Sequence, residues 1–131
     1  MSQQSHRWST PSLILGASIV LLILLSVMVY LYPSGNNSNI LKTGINELRT
    51  KIEAYHRSED IASEQVYKNL LEKLDQVEKV VNEKNPEKTV GSLYELLKYV
   101  SENKGKLISY WAAEDLQLLI NNLIFNVAKH L

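Results

Sequence analysis

Few groups in this chain could do chemistry at neutral pH. The chain has 131 residues and no cysteine. That excludes disulfide scaffolds, thiolate metal sites and cysteine nucleophiles. Three histidines are present, His6, His56 and His130. None has a second ligand three or four residues away other than ordinary surface acids. There is no HExxH, no phosphate-cradling glycine loop and no GxSxG. Two acid pairs remain, Glu59-Asp60 and Glu114-Asp115. Adjacent residues on a helix point about 100° apart, so neither pair makes a carboxylate dyad by spacing alone. Both fall near expected helix starts, where negative charge suits the helix dipole. No residue set supports a hydrolase or transferase. No catalytic residue, cofactor or metal site is expected.

Charge narrows the partners. Lys plus Arg number 14 and Asp plus Glu number 14. Nucleic-acid binders usually carry a basic surplus, so none is expected as a partner. The densest basic cluster is Lys98, Lys104 and Lys106, which reads as a solvated turn rather than a site for anionic lipid or wall polymer.

The mean hydropathy of −0.14 averages two unlike parts. Residues 13–32, LILGASIVLLILLSVMVYLY, run without a charge. As a helix they would extend about 30 Å, the thickness of a bilayer's hydrocarbon core. The expected span includes Leu13, Ile19, Leu24, Val29 and Tyr32. A cleaved signal peptide is the competing reading. Its apolar region is usually shorter, and small residues mark its cleavage site. Here the exit, Tyr30-Leu31-Tyr32-Pro33, is bulky, so an uncleaved anchor fits better. Trp8, Tyr30 and Tyr32 suit the interfacial belts. Arg7 and the amino terminus lie before the span, and Pro33 to Leu41 carries no Lys or Arg. The positive-inside rule then places the head, residues 1–12, in the cytoplasm and the remainder outside a cell membrane. No GxxxG is present in the span, though Gly16-Ala17-Ser18 offers small residues for self-association.

Residues 33–39 are turn formers throughout and read as a linker. Residues 40–131 then read as an all-α, antiparallel bundle of three to four helices. Leu41, Ile45, Leu48, Ile52 and Tyr55 make the first apolar stripe. Val66, Leu70, Leu74, Val77 and Val81 make the second, opening near Ser63. Asn85-Pro86-Glu87 combines an N-cap, a first-turn proline and a favourable charge. The third stripe is Val90, Leu93, Tyr94, Leu97 and Val100, with Gly91 as a weak spot unless a neighbouring helix comes close there. Asn103-Lys104-Gly105 is a C-terminal stop. The last helix, from about Ser109, points Leu116, Leu119, Ile120, Leu123, Ile124 and Val127 inward. Glu47–Lys51, Lys68–Glu72, Asp75–Lys79 and Lys79–Glu83 are opposite charges four apart. Short connections favour antiparallel neighbours.

The last helix has a second apolar line. Trp111, Leu118 and Phe125 stand seven apart, roughly opposite the first line. Either this helix is packed on both sides within the domain, or the second line is a docking surface for another protein. Trp and Phe are anchor residues if it is open. These three are the candidate contact residues.

From Ile45 to Ile124 the chain resembles the FIMAH-type module, a small helical domain of Gram-positive secreted and surface proteins, often appended to larger hydrolases. The matching features are Leu48 to Tyr55, the turn Ser58-Glu59-Asp60-Ile61, the Leu70-Leu74-Val77 and Val90-Leu93-Leu97 stripes, and the helix around Ala112 to Ile124. The chain departs from the family at Asn85-Pro86, where a Gly is usual, and at Gly91 and Asn121, where Ala is usual. The resemblance implies an accessory interaction module without its own chemistry. The expectation is a membrane-anchored tethering module at the bacterial envelope, bound to the bilayer and to another envelope protein or a wall component, with a homo-oligomer as a further possibility. The alternative is a single-pass signal regulator whose helical domain faces the cytoplasm and sequesters a soluble factor.

Overall fold

Ser63, Asn85 and Ser109 each close an irregular stretch and open a helix. Their side chains accept from the amides of Val66, Lys88 and Ala112, three residues on. That satisfies one of the donors a first helical turn leaves orphaned. Pro86 follows Asn85 in the first turn, where its missing N–H costs nothing. At the other ends, Glu59 and Lys84 take left-handed backbone, with φ of 64° and 55°, and Gly105 does so with φ 72°. Gly105 alone of the three lacks a Cβ to strain in that conformation.

The computed structural model describes residues 35–131. They form four helices, α1 (Gly35–Arg57), α2 (Glu64–Asn82), α3 (Pro86–Asn103) and α4 (Tyr110–Ala128). Residues 37–131 make one compact unit. Consecutive helices run antiparallel. Arg49 of α1 reaches Asp75 and Glu78 in the middle of α2, while His56 reaches Glu64 at its start. Asn69 of α2 bonds Tyr99 near the end of α3, and Ser101 accepts from Gln117 of α4. Lys51 meets Asp115, so α4 returns beside α1 and closes a four-helix bundle.

The core follows the stripes of α1 and α2. Ile45, Leu48, Ile52 and Tyr55 are buried, as are Val66, Leu70, Leu74, Val77 and Val81. Burying a side chain of this kind is worth about 1.5–3 kcal/mol. Ile61 and Ile108, in the α1–α2 and α3–α4 loops, plug one end through a single antiparallel bridge. Ser109 N–H donates to the Asp60 carbonyl at 2.8 Å beside it. No buried side-chain nitrogen or oxygen lacks a partner among the described residues.

Three expectations need correction. α1 begins at Gly35, inside the stretch read as linker, because local propensity is a weak prior that context overrides. Tyr94 is 54% exposed, and Leu96 is buried in its place. The inward stripe of α3 is Thr89, Leu93, Leu96 and Val100, with Thr89 Oγ1 satisfied by the Asn85 carbonyl at 2.8 Å. Among the described residues nothing lies close to Gly91, so the exception that a neighbouring helix would make does not arise there; the close approach is at Gly44, where an added Cβ would collide with a δ-methyl of Leu123. None of the four i,i+4 charge pairs forms. Lys51 turns to Asp115 and Asp75 takes Arg49, partners on other helices.

The span expected over residues 13–32, with Leu13, Ile19, Leu24, Val29 and Tyr32, lies outside the described residues, as does the head. Among the described residues no helix is long and apolar enough to cross a membrane.

Candidate interaction surface on the last helix

α4 is apolar on two sides, and the bundle uses one of them. Ala112, Ala113, Leu116, Ile120, Leu123, Ile124 and Val127 are buried. The two alanines, absent from the expected stripe, face inward where α4 meets its neighbours. The opposite line is open. Trp111 is 57% exposed, Leu118 60% and Phe125 69%. No element among the described residues covers it. Seven residues advance a helix by about 10.5 Å, so the line is about 21 Å long. Exposed single hydrophobics are ordinary, but three in register on one helix face form a row.

The row is not uniform, because its first member is held. The Trp111 ring stands edge-on to Tyr55 with centroids 4.9 Å apart, near the optimum for a T-shaped pair. Its one polar atom, Nε1, donates to Asp60 Oδ1 at 3.0 Å. The supports are themselves supported. The Tyr55 hydroxyl donates to Asp115 Oδ2, and Lys51 Nζ donates to the same oxygen at 2.7 Å. Burial first, then the bond and charge of Asp115, push the Tyr55 hydroxyl above its ordinary range. The Lys51 and Tyr55 bonds hold the Asp115 carboxyl below its own. Ser58, Ser109 and Trp111 donate to Asp60 and lower it likewise. One acid of each pair, Asp60 and Asp115, thus serves this network, while Ser63 and Ser109 cap the helices that follow.

This group of Lys51, Tyr55, Asp60, Trp111 and Asp115 was not legible as a group in the sequence. Its members come from α1, a loop and α4, and spacing reports only neighbours on one element. Beside it, His56 stacks on Tyr67 at 4.0 Å, with Nδ1 3.0 Å from the Ile61 carbonyl and Nε2 3.0 Å from Glu64. The basic cluster disperses. Lys104 pairs with Glu114 at 3.1 Å and lies over Tyr110, and Lys98 leans to Glu102. No group of three or more His, Asp or Glu among the described residues could hold a metal ion.

Among the described residues Leu118 and Phe125 have no such attachments. No aromatic ring among the described residues packs on Phe125, and the residues between members of the row are polar: Glu114, Asp115, Asn121 and Asn122. What the surface can do is present three apolar side chains, one of them fixed, at intervals that suit another helix.

The FIMAH domain is the family whose model matches, over residues 45–125. No curated protein and no solved structure matches the chain.

Proposed function

The chain belongs to the FIMAH domain family, and from that premise we propose that its helical unit is a non-enzymatic binding module tethered at the bacterial cell envelope. The observation that carries this is the open row Trp111, Leu118 and Phe125 on a helix whose other face already fills the core. The buried core is complete without Leu118 and Phe125, and exposed apolar residues in register mark interaction sites. Large anchors of this kind supply most of the energy of an interface.

The tether in this reading is the uncharged run at 13–32, with the cytoplasmic head before it and the module outside. Its bilayer contacts are Leu13, Ile19, Leu24, Val29 and Tyr32. The partner held against α4 is another envelope protein, a wall component or a second copy of this chain.

Two measurements test the parts separately. A reporter fused after Leu131 is expected to be active only outside the cell; activity only inside reverses the topology. Capture of a partner from solubilised envelopes by the full chain is expected to be lost with Leu118→Asp while helicity stays unchanged. Capture that survives that change places the contact elsewhere, and turnover of any substrate by the purified chain removes the non-enzymatic reading.

A further inference from the structure

The spacing of the row carries information about what it fits. Leu118 is its midpoint, with Trp111 seven residues before and Phe125 seven after. A two-fold axis through Leu118, perpendicular to α4, superposes the row on itself in reverse. In an antiparallel pair of α4 helices, Leu118 meets Leu118 of the second copy, and each Trp111 comes level with a Phe125. Such a contact is isologous: one patch serves both copies, and the symmetry closes.

The flanking residues choose between the two possible directions. At about 100° per residue, Glu114 and Asn121 lie on one flank of the row, and Asp115 and Asn122 on the other. Run antiparallel, Glu114 comes level with Asn121 of the second copy on the first flank. Asp115 comes level with Asn122 of the second copy on the other. Each carboxylate then faces an amide that can donate to it. Run parallel, Glu114 faces Asp115 of the second copy on both flanks and Asn121 faces Asn122, so the lysine-paired acids meet acid to acid and no amide reaches a carboxylate. That arrangement sets acceptor against acceptor where the antiparallel one sets amide donor against carboxylate acceptor. Glu114 is exposed and its partner Lys104 lies on its own chain, so its second oxygen is available.

We propose that α4 pairs with α4 of a second copy of this chain, antiparallel about Leu118. This rests on the reading of the row as a contact surface and names its occupant. The pair is weak by area. Trp, Leu and Phe of this exposure offer roughly 400 Å² per copy, about half the ~800 Å² per partner of a standard stable interface. Association is therefore concentration-dependent and reversible.

The absence of cysteine makes the test clean. The full chain carrying Ala128→Cys takes one spin label, and pulsed dipolar spectroscopy reads the distance between copies as concentration rises. Ala128 lies ten residues beyond Leu118. An antiparallel pair separates the two labels by about 30 Å along the axis, whereas a parallel pair leaves them level across one helix–helix spacing of about 10 Å. The expected result is the long distance, growing with concentration and lost in Leu118→Asp. Phe125→Asp repeats that loss at a second position if the first variant loses helicity. The short distance, no inter-chain distance at any concentration, or a long distance that survives both substitutions overturns the proposal. Capture of a different envelope protein through Leu118, with no pairing of copies, would sink this inference and leave the proposed function standing.

Discussion

Trp111 and Phe125 sit on one line of one helix, two heptads apart, and the molecule treats them oppositely. Trp111 is exposed yet braced by Tyr55 and Asp60, with Asp115 and Lys51 bracing Tyr55 in turn. Phe125 is more exposed and has no ring partner among the described residues. Exposure alone therefore does not separate a residue that the fold depends on from one that only a partner would use. Polar attachment does. An indole whose N–H is spent inside the molecule has a fixed orientation, and less freedom is lost when something docks on it.

Mutation can break this contrast at several depths. Tyr55→Ala should do most, because it empties a buried site and releases Trp111 together. A loss of about 3 kcal/mol is expected in denaturant unfolding, at the low end for aromatic truncations. A loss below half of that would mean the ring is not part of the core. Trp111→Ala is expected to cost about 1–2 kcal/mol, since one hydrogen bond and a half-covered ring disappear. If it costs nothing, the bracing is incidental, and Trp111 is as free as Phe125.

Asp115→Asn should cost about 1 kcal/mol at neutral pH, discounted because Lys51 and Asp115 are both about one-third exposed. It also carries a pH signature. The folded Asp115 carboxyl titrates below the ordinary range, and an unfolded Asp near about 3.9. Its stabilisation is complete above that value and fades as pH falls through the folded one. The variant should therefore lose less stability than the parent between neutral pH and acid, and parallel acid limbs would remove Asp115 from the account. Smallest is Phe125→Ala, expected within about 0.5 kcal/mol of the parent. A larger loss would show that this end is structural too, and the contrast would vanish.

The sequence made the helices of the bundle legible where local chemistry determines them. Ser63, Asn85-Pro86 and Gly105 announce their roles by residue type, and the stripes of α1 and α2 have one consistent period. α3 misled because Tyr94 and Leu96 flank the same direction, and only packing decides which turns inward. The start of α1 misled because weak propensities over residues 35–39 yield to the helix that follows. Membership of the row was legible from spacing in α4. The bracing of Trp111 was not, because Lys51 and Asp115 are 64 positions apart. Gly44 escaped for the same reason. Its meaning lies in the Leu123 side chain it admits from the opposite end of the chain.

That seat at Gly44 has a consequence for how the bundle can be wired into a larger polypeptide. The early part of α1 and the late part of α4 lie side by side, so the bundle's entry and exit are neighbours. A unit of this build can be spliced into a surface turn of a host protein with little stretch between the splice points, or recut so that α4 leads and α1 closes the chain.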